Sequence, residues 1–233
     1  LTYDETFTIN LTNVNEAPSG TNATVTITED TAHVLTAANF GFSDVDAGDA
    51  LSAVRIDTLP TAGTLTLSGT AVTAGQVITT ADLAASQLVF TPAANANGTG
   101  YARVAFSVRD STSLYDPTPN TLTVNVTAVN DRPTDLSLSA NTVAEHAANG
   151  TVVGTVTGSD PDAGDTKSYS LTNTAGGRFA INRTTGALTV ANSTLLNYEA
   201  ATSHAVTVRV TDRGGLTYDE TFTINLTNVN EAP

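Results

Sequence analysis

Apolar and polar residues alternate along this chain with a period of two. Phe222, Ile224 and Leu226 share one parity, and Thr221, Thr223, Asn225 and Thr227 share the other. Val206, Val208 and Val210 alternate in the same way with Thr207, Arg209 and Thr211. Further upstream, Val104, Phe106 and Val108 alternate with Arg103, Ser107 and Arg109, and Leu122, Val124 and Val126 with Thr121, Thr123 and Asn125. Successive side chains of a strand point to opposite faces, so each stretch predicts a strand with one buried face. Valine and threonine dominate, and their branched Cβ suits a pleated, half-buried surface. Short strands with frequent turn signals predict sandwiches of about seven strands each. No stretch carries a convincing helical period; residues 79–86 predict at most one short turn.

Repetition organises these strands. Residues 1–18, LTYDETFTINLTNVNEAP, recur letter for letter at 216–233. Such identity predicts a parent protein with near-identical units in tandem. The ending Val-Asn-acidic-x-Pro closes at Pro18, Pro133 and Pro233. The chain is therefore expected to comprise residues 1–18 as the C-terminal strand and linker of a preceding copy, then domains at 19–133 and 134–233. Phe7, Ile9 and Leu11 form an apolar face with no domain of their own, so residues 1–18 are expected to be disordered or to pair with a neighbouring molecule by strand exchange.

Composition narrows the function. The net charge is −14, with only nine Lys plus Arg. That balance repels nucleic acid and anionic membrane surfaces and suits divalent cations. Cysteine is absent, so stability comes from packing or metal rather than disulfides. No apolar run approaches the roughly 18 residues that span a bilayer, so direct membrane insertion is not expected. His33, His146 and His204 show no metal-ligand spacing, and no nucleophile or phosphate-loop motif occurs. His204 shares the parity of Val206 and predicts a histidine at the sandwich edge. The protein is not expected to be an enzyme.

The acidic residues are patterned. Asp44-Val-Asp46-Ala-Gly48-Asp49 matches Asp160-Pro-Asp162-Ala-Gly164-Asp165. Glu29 and Glu145 each precede their motif by 15 residues, and Asp110 and Asp212 each fall late in their domain. Asp-x-Asp places two mutually repelling carboxylates on one loop, and a hard cation takes six to eight such oxygens. An EF-hand is excluded, since Arg55 and Leu171 occupy the twelfth positions from Asp44 and Asp160.

These residues carry a resemblance. Glu145, Asp160-Pro-Asp162, Phe179-Ala-Ile181-Asn182, Thr185-Gly186-Ala-Leu188, Leu196-Asn197-Tyr198-Glu199, Asp212-Arg-Gly214 and the linker from Asn228 to Pro233 together resemble a cadherin repeat. Residues 19–133 resemble the broader bacterial cadherin-like group through Glu29-Asp30, Asp44-x-Asp46, Asn95-Ala-Asn97-Gly98, Asp110 and Asn130-Asp131. The acidity and the missing cysteine are similar to the repeat regions of large type I-secreted (RTX-type) surface adhesins. The resemblance implies an all-β chain of two tandem cadherin-like, Ig-like Greek-key sandwiches arranged end to end, with Ca2+ as the cofactor. It implies one or two ions at the internal junction, held by Glu29, Asn130, Asp131, Asp160, Asp162 and Asp212. It also implies an upstream half-site of Asn13, Asn15, Glu16, Asp44, Asp46 and Asp110, and a downstream half-site of Glu145, Glu199, Asn228, Asn230 and Glu231. Asp49 and Asp165 are read as turn residues. The family linker begins with Asp, whereas Ala128, Asn13 and Asn228 stand there in this chain.

The implied role is a stalk on the bacterial cell surface, secreted and stiffened by calcium, projecting a distal region for adhesion or biofilm formation. Its expected partners are calcium ions and neighbouring identical repeats, with a glycan or other cell-surface ligand bound elsewhere in the parent protein. The competing readings are a carbohydrate-binding module and homophilic cell–cell adhesion. The first would require exposed rings, which puts weight on Tyr101, Tyr115, Tyr169 and Tyr198 because tryptophan is absent.

Overall fold

A computed structural model describes residues 1–231; Ala232 and Pro233, the end of the third linker motif, lie outside the described residues. The chain divides into two compact units, Leu1–Val129 and Asn130–Pro233. Residues 1–18 carry no regular secondary structure, and the first ladder contact is the bridge between Ser19 and Ser43.

The strands of the first unit are β1 (Ala23–Thr28), β2 (His33–Val34), β3 (Ala53–Thr58), β4 (Thr64–Leu67), β5 (Thr70–Ala71), β6 (Val77–Thr79), β7 (Leu88–Thr91), β8 (Gly98–Arg109) and β9 (Asn120–Thr127). They form two sheets, ordered β1-β9-β8-β3-β6 and β2-β7-β4-β5. The predicted parity holds: Val104, Phe106 and Val108 of β8 and Leu122, Val124 and Val126 of β9 all face the core. Phe40 meets Phe106 edge-on there, with centroids 4.9 Å apart, a favoured ring geometry. The expected short turn is a single helical turn, α1 (Thr80–Ala84). Thr79 caps it: the Asp82 amide donates to the Thr79 hydroxyl, and Asp82 accepts from the Thr79 amide, a reciprocal capping box.

The second unit contains β10 (Asp135–Leu138), β11 (Thr142–Ala144), β12 (Val152–Ser159), β13 (Ser168–Asn173), β14 (Phe179–Ile181), β15 (Ala187–Val190), β16 (Ser203–Thr211) and β17 (Thr217–Thr227). Its sheets are ordered β10-β12-β15-β14 and β11-β17-β16-β13. Val206, Val208, Val210, Ile224 and Leu226 are buried between them with Phe179, Leu188 and Leu196. Gly186 is required at the turn into β15. Its φ is +69°, and a Cβ there would lie 2.2 Å from the Val156 carbonyl, so a larger residue would face both strain and a clash.

Both units share one device. A short edge strand runs parallel to the last strand, β1 along β9 and β11 along β17. A glutamate follows each edge strand, and the amides of Glu29 and Glu145 donate to the carbonyls of Thr127 and Thr227, both at 3.0 Å. The glutamates that the sequence singled out thus sit one step beyond the edge strand, beside the start of a linker.

Candidate metal centre

The late aspartate is the most enclosed aspartate of each unit. Asp110 follows β8 and is fully buried; Asp212 follows β16 and is 6% exposed. A turn folds back on each: the Leu114 amide donates to Asp110 Oδ1 and the Leu216 amide to Asp212 Oδ1, both at 2.8 Å. The linker amides reach the second oxygens. Asn15 Nδ2 donates to Asp110 Oδ2 at 3.2 Å, and Asn130 Nδ2 to Asp212 Oδ2 at 2.9 Å. Gly214 admits Asn130, since a Cβ on it would stand 2.4 Å from the Asn130 amide. Burial alone would raise both carboxyls, yet these donors win and hold each below the usual carboxylate range.

The Asp-x-Asp loops repeat one geometry. The Asp46 amide donates to Asp44 Oδ1 and the Asp162 amide to Asp160 Oδ1, both at 2.9 Å. The linker also grips the second aspartate. The Glu16 amide donates to Asp46 Oδ2 at 2.7 Å, with Asn13 donating to Asp46 Oδ1; the Asp131 amide donates to Asp162 Oδ2 at 2.8 Å. The Asn13 amide and then the Glu16 backbone hold the Asp46 carboxyl below its ordinary value.

One further oxygen in each unit is left over. Asp44 Oδ2 and Asp160 Oδ2 are buried and have no hydrogen-bond partner. Such an oxygen is costly unless something satisfies it. Carboxylate oxygens of Asp44, Asp49 and Asp110 lie within 4.8 Å of one another, and so do those of Asp160, Asp165 and Asp212. Three carboxylates at that spacing repel unless a cation or protons intervene. Each all-carboxylate triad thus includes an aspartate with an unpartnered buried oxygen, and such oxygen donors are those of a hard cation, so the residues fit Ca2+.

Asp49 and Asp165 enter these triads although their spacing reads as turn chemistry. Both are also turn residues, donating from their amides to the carbonyls of Asp46 and Asp162 at 3.2 Å. Their repetition at the same offset in both motifs is visible in the sequence, but it fits a repeated turn as well as a ligand.

The glutamate ends differ between the units. Glu29 accepts from the Val129 amide at 2.7 Å and from Asn97 Nδ2 at 2.9 Å. Glu145 accepts from the Val229 amide at 2.8 Å and the Tyr198 amide at 2.7 Å. These two amides, Tyr198 first, hold the Glu145 carboxyl below its usual range. Glu199 accepts from Asn228 Nδ2 at 2.8 Å. Asn97 of the first unit thus takes the part that the Asn197-Tyr198-Glu199 segment plays in the second. Glu231 meets His146 Nε2 at 2.6 Å, and these two group with Glu145 as a third cluster. Asn230 is exposed in its linker.

The His204 imidazole and the four tyrosine side chains are not members of these carboxylate clusters. His204 lies at the start of β16, partly buried, with Nε2 unpartnered. Burial, then the Arg178 charge, lowers its pKa. Tyr101, Tyr115, Tyr169 and Tyr198 are all half-buried. Tyr115 stacks under Arg55 at 4.7 Å, while Tyr101 and Tyr169 accept from the amides of Ala93 and Gly158.

Residues 140–227 match the cadherin domain family. The human protein cadherin-related family member 2 is 35% identical over 116 residues, which is 47% of this chain and 9% of that protein. The chain therefore spans a small part of that relative. Mouse cadherin-23 EC22-24 superposes with a TM-score of 0.62 at 21% identity, covering 93% of this chain and 67% of the other. Human mucin-like protocadherin EC1-2 gives 0.53 at 17% identity, covering 91% and 98%. The chain is all-β, its sandwiches are cadherin-like, and its second unit carries the cadherin-like region.

Proposed function

We propose that this chain is a calcium-stiffened extender of a large bacterial surface adhesin, a spacer that carries a distal binding region away from the cell. The observation that supports calcium most directly is the unpartnered buried oxygen of Asp44 and of Asp160, two aspartates that each belong to a carboxylate triad, the arrangement being repeated in the two units. Bound calcium supplies a double positive charge and places for six to eight oxygens. Asp44, Asp49 and Asp110 would offer oxygens to it in the first unit, and Asp160, Asp165 and Asp212 in the second. Glu29, Glu145, Glu199 and Glu231 would serve at the opposite, glutamate end of their units. Asn13, Asn15 and Asn130 hold carboxylates in place beforehand, so the linker is tied to the same groups that face the ion.

The spacer role draws on the 18-residue repetition, the net charge of −14 and the absence of cysteine. Domains at 19–133 and 134–233, with residues 1–18 as the tail of a preceding copy, belong to the same reading. The cadherin-named relatives support an extracellular, adhesive setting, where millimolar calcium would fill sites with dissociation constants of about 10⁻⁴ to 10⁻³ M.

Calorimetric titration together with X-ray scattering, with and without chelator, tests both parts. Calcium uptake with an increased maximum dimension is the expected result, and Asp160→Ala with Asp162→Ala should remove the change in dimension. No uptake at millimolar calcium ends the metal reading. Uptake without any dimensional change ends the spacer reading and leaves a calcium-binding module.

A further inference from the structure

The outer face of the sheet β1-β9-β8-β3-β6 carries a charge opposite to the −14 of the chain. Residues 1–129 hold three arginines and no lysine: Arg55, Arg103 and Arg109. Val54 and Ile56 of β3 and Val104 and Val108 of β8 are buried in the core, so the arginines that alternate with them stand on the outer face. Asp57 is the one acidic residue in these five strands, and it accepts from Arg55 Nε at 2.5 Å. Among the described residues no carboxylate pairs with Arg103 or Arg109. Arg109 is nevertheless held in place. Its Nε donates to Ser52 Oγ at 3.0 Å, and its guanidinium lies 5.7 Å from the Tyr115 ring, which Arg55 covers at 4.7 Å. Ala53 and Ser107 are the ladder partners of Arg109 and Arg55; they point away from the core yet are fully buried. These side chains therefore form a packed layer of their own. A guanidinium has five N–H donors, and the bond to Ser52 uses one of those on Arg109.

We propose that this face binds an acidic polysaccharide, a sugar polymer that bears carboxylates at intervals. Arg103 and Arg109 share one parity of β8 and stand six residues apart, so about 20 Å separates them. A single small anion reaches one of them, whereas a chain with repeated carboxylates reaches both. The planar fork of arginine matches a carboxylate. The ground around them is small and hydroxylated. Thr123 lies opposite Arg103 with Thr24 beyond it, and Thr79 lies beyond Ala53 from Arg109. Hydroxyls both donate and accept, as the hydroxyls of a sugar require. An acidic protein partner would need the large anchors that dominate protein interfaces. This face offers it only Val77, 38% exposed, and a half-buried Tyr115 ring already covered by guanidiniums. The charge of the rest of the chain is screened beyond about 8–10 Å at physiological salt, so the local excess of guanidinium decides. The face draws on none of the carboxylate triads, so the proposal does not rest on calcium.

Calorimetric titration of the full chain with a hyaluronan decasaccharide, whose carboxylates alternate with neutral sugars, tests this at low salt and millimolar calcium. The expected result is binding that weakens as salt rises, with none to a dextran oligosaccharide of equal length. A hyaluronan disaccharide, too short to reach both arginines, should bind about tenfold more weakly or worse. Arg103→Gln with Arg109→Gln should weaken decasaccharide binding about tenfold or more, since each removes a charge-assisted contact. Arg109→Lys keeps the charge without the fork and should weaken it severalfold. Arg209→Gln removes the same charge from the second unit, where Arg209 donates two bonds of 2.8 Å to Asp219, and should change nothing. Circular dichroism shows that each variant folds; if Arg109→Gln does not, the exposed Arg103→Gln alone carries the test. No hyaluronan binding, binding indifferent to the double variant, or an equal loss in Arg209→Gln overturns the proposal. So does tighter binding of poly-glutamate of equal charge, which would assign the face to an acidic protein partner.

Discussion

Residues 2–12 and 217–227 share every letter, yet one stretch is open chain and the other is a strand with a neighbour on each side. Alternation, β-branching and charge are identical, so none of them explains the difference. What differs is company. β16 offers a ladder from Ser203 to Thr211, and β11 covers the other edge from Thr142 to Ala144. An isolated strand has no partner for its amides and no surface for its apolar face, and even a lone hairpin is marginal in water. The linkers that follow diverge as well. Asn13, Asn15 and Glu16 engage Asp46 and Asp110, whereas Asn228, Val229 and Glu231 engage Glu199, Glu145 and His146. One linker sequence therefore serves the aspartate end of one unit and the glutamate end of another.

The comparison is broken most directly at its paired isoleucines. Ile224→Asp places an unpaired charge in a fully buried position and is expected to cost more than about 4 kcal/mol, unfolding the second unit. Ile9→Asp, the same change in the first copy, should stay within about 0.5 kcal/mol. Urea unfolding of both variants decides it, and equal losses would mean that residues 2–12 are packed after all.

Acid sharpens the comparison between the linkers. Asp46, Asp110 and Asp212 and Glu145 are held below their ordinary values in the folded state. A depressed carboxylate stabilises fully above its unfolded pKa, about 4 to 4.5. That stability is lost as pH falls through the lower, folded values. Denaturation midpoints without calcium should therefore be level near neutrality and drop below about pH 4.5. Asn15→Ala should shrink the drop of the first unit by removing a donor to Asp110, and leave the second unit unchanged. A midpoint that rises on acidification would refute the assignment.

The smallest effect belongs to the surface ion pair. Asp219→Ala removes an exposed two-bond contact with Arg209 and should cost about 0.2–1 kcal/mol, fading in high salt. Asp4→Ala should have no measurable effect on unfolding at low protein concentration.

Much of the site was legible as pattern. Glu29 and Glu145 do flank the last strands, and Asp44, Asp110, Asp160 and Asp212 do converge within their own units. Asp49 and Asp165 were not legible as members of the triads, because a turn aspartate is explained by its own backbone. Asn97 was legible as part of a family motif but not as the support of Glu29, since 68 residues separate them in sequence.

The sequence by itself determined the strand parity, the β class, the excess of carboxylates and the repetition, because each follows from local order and composition. Tertiary structure decided which copy of TYDETFTINLT becomes a strand, which oxygens of Asp44 and Asp160 stay unpartnered, and which end of a unit each linker grips. Those outcomes depend on what stands beside a residue across the fold, and neighbours far apart in sequence are brought together only when the sheets close.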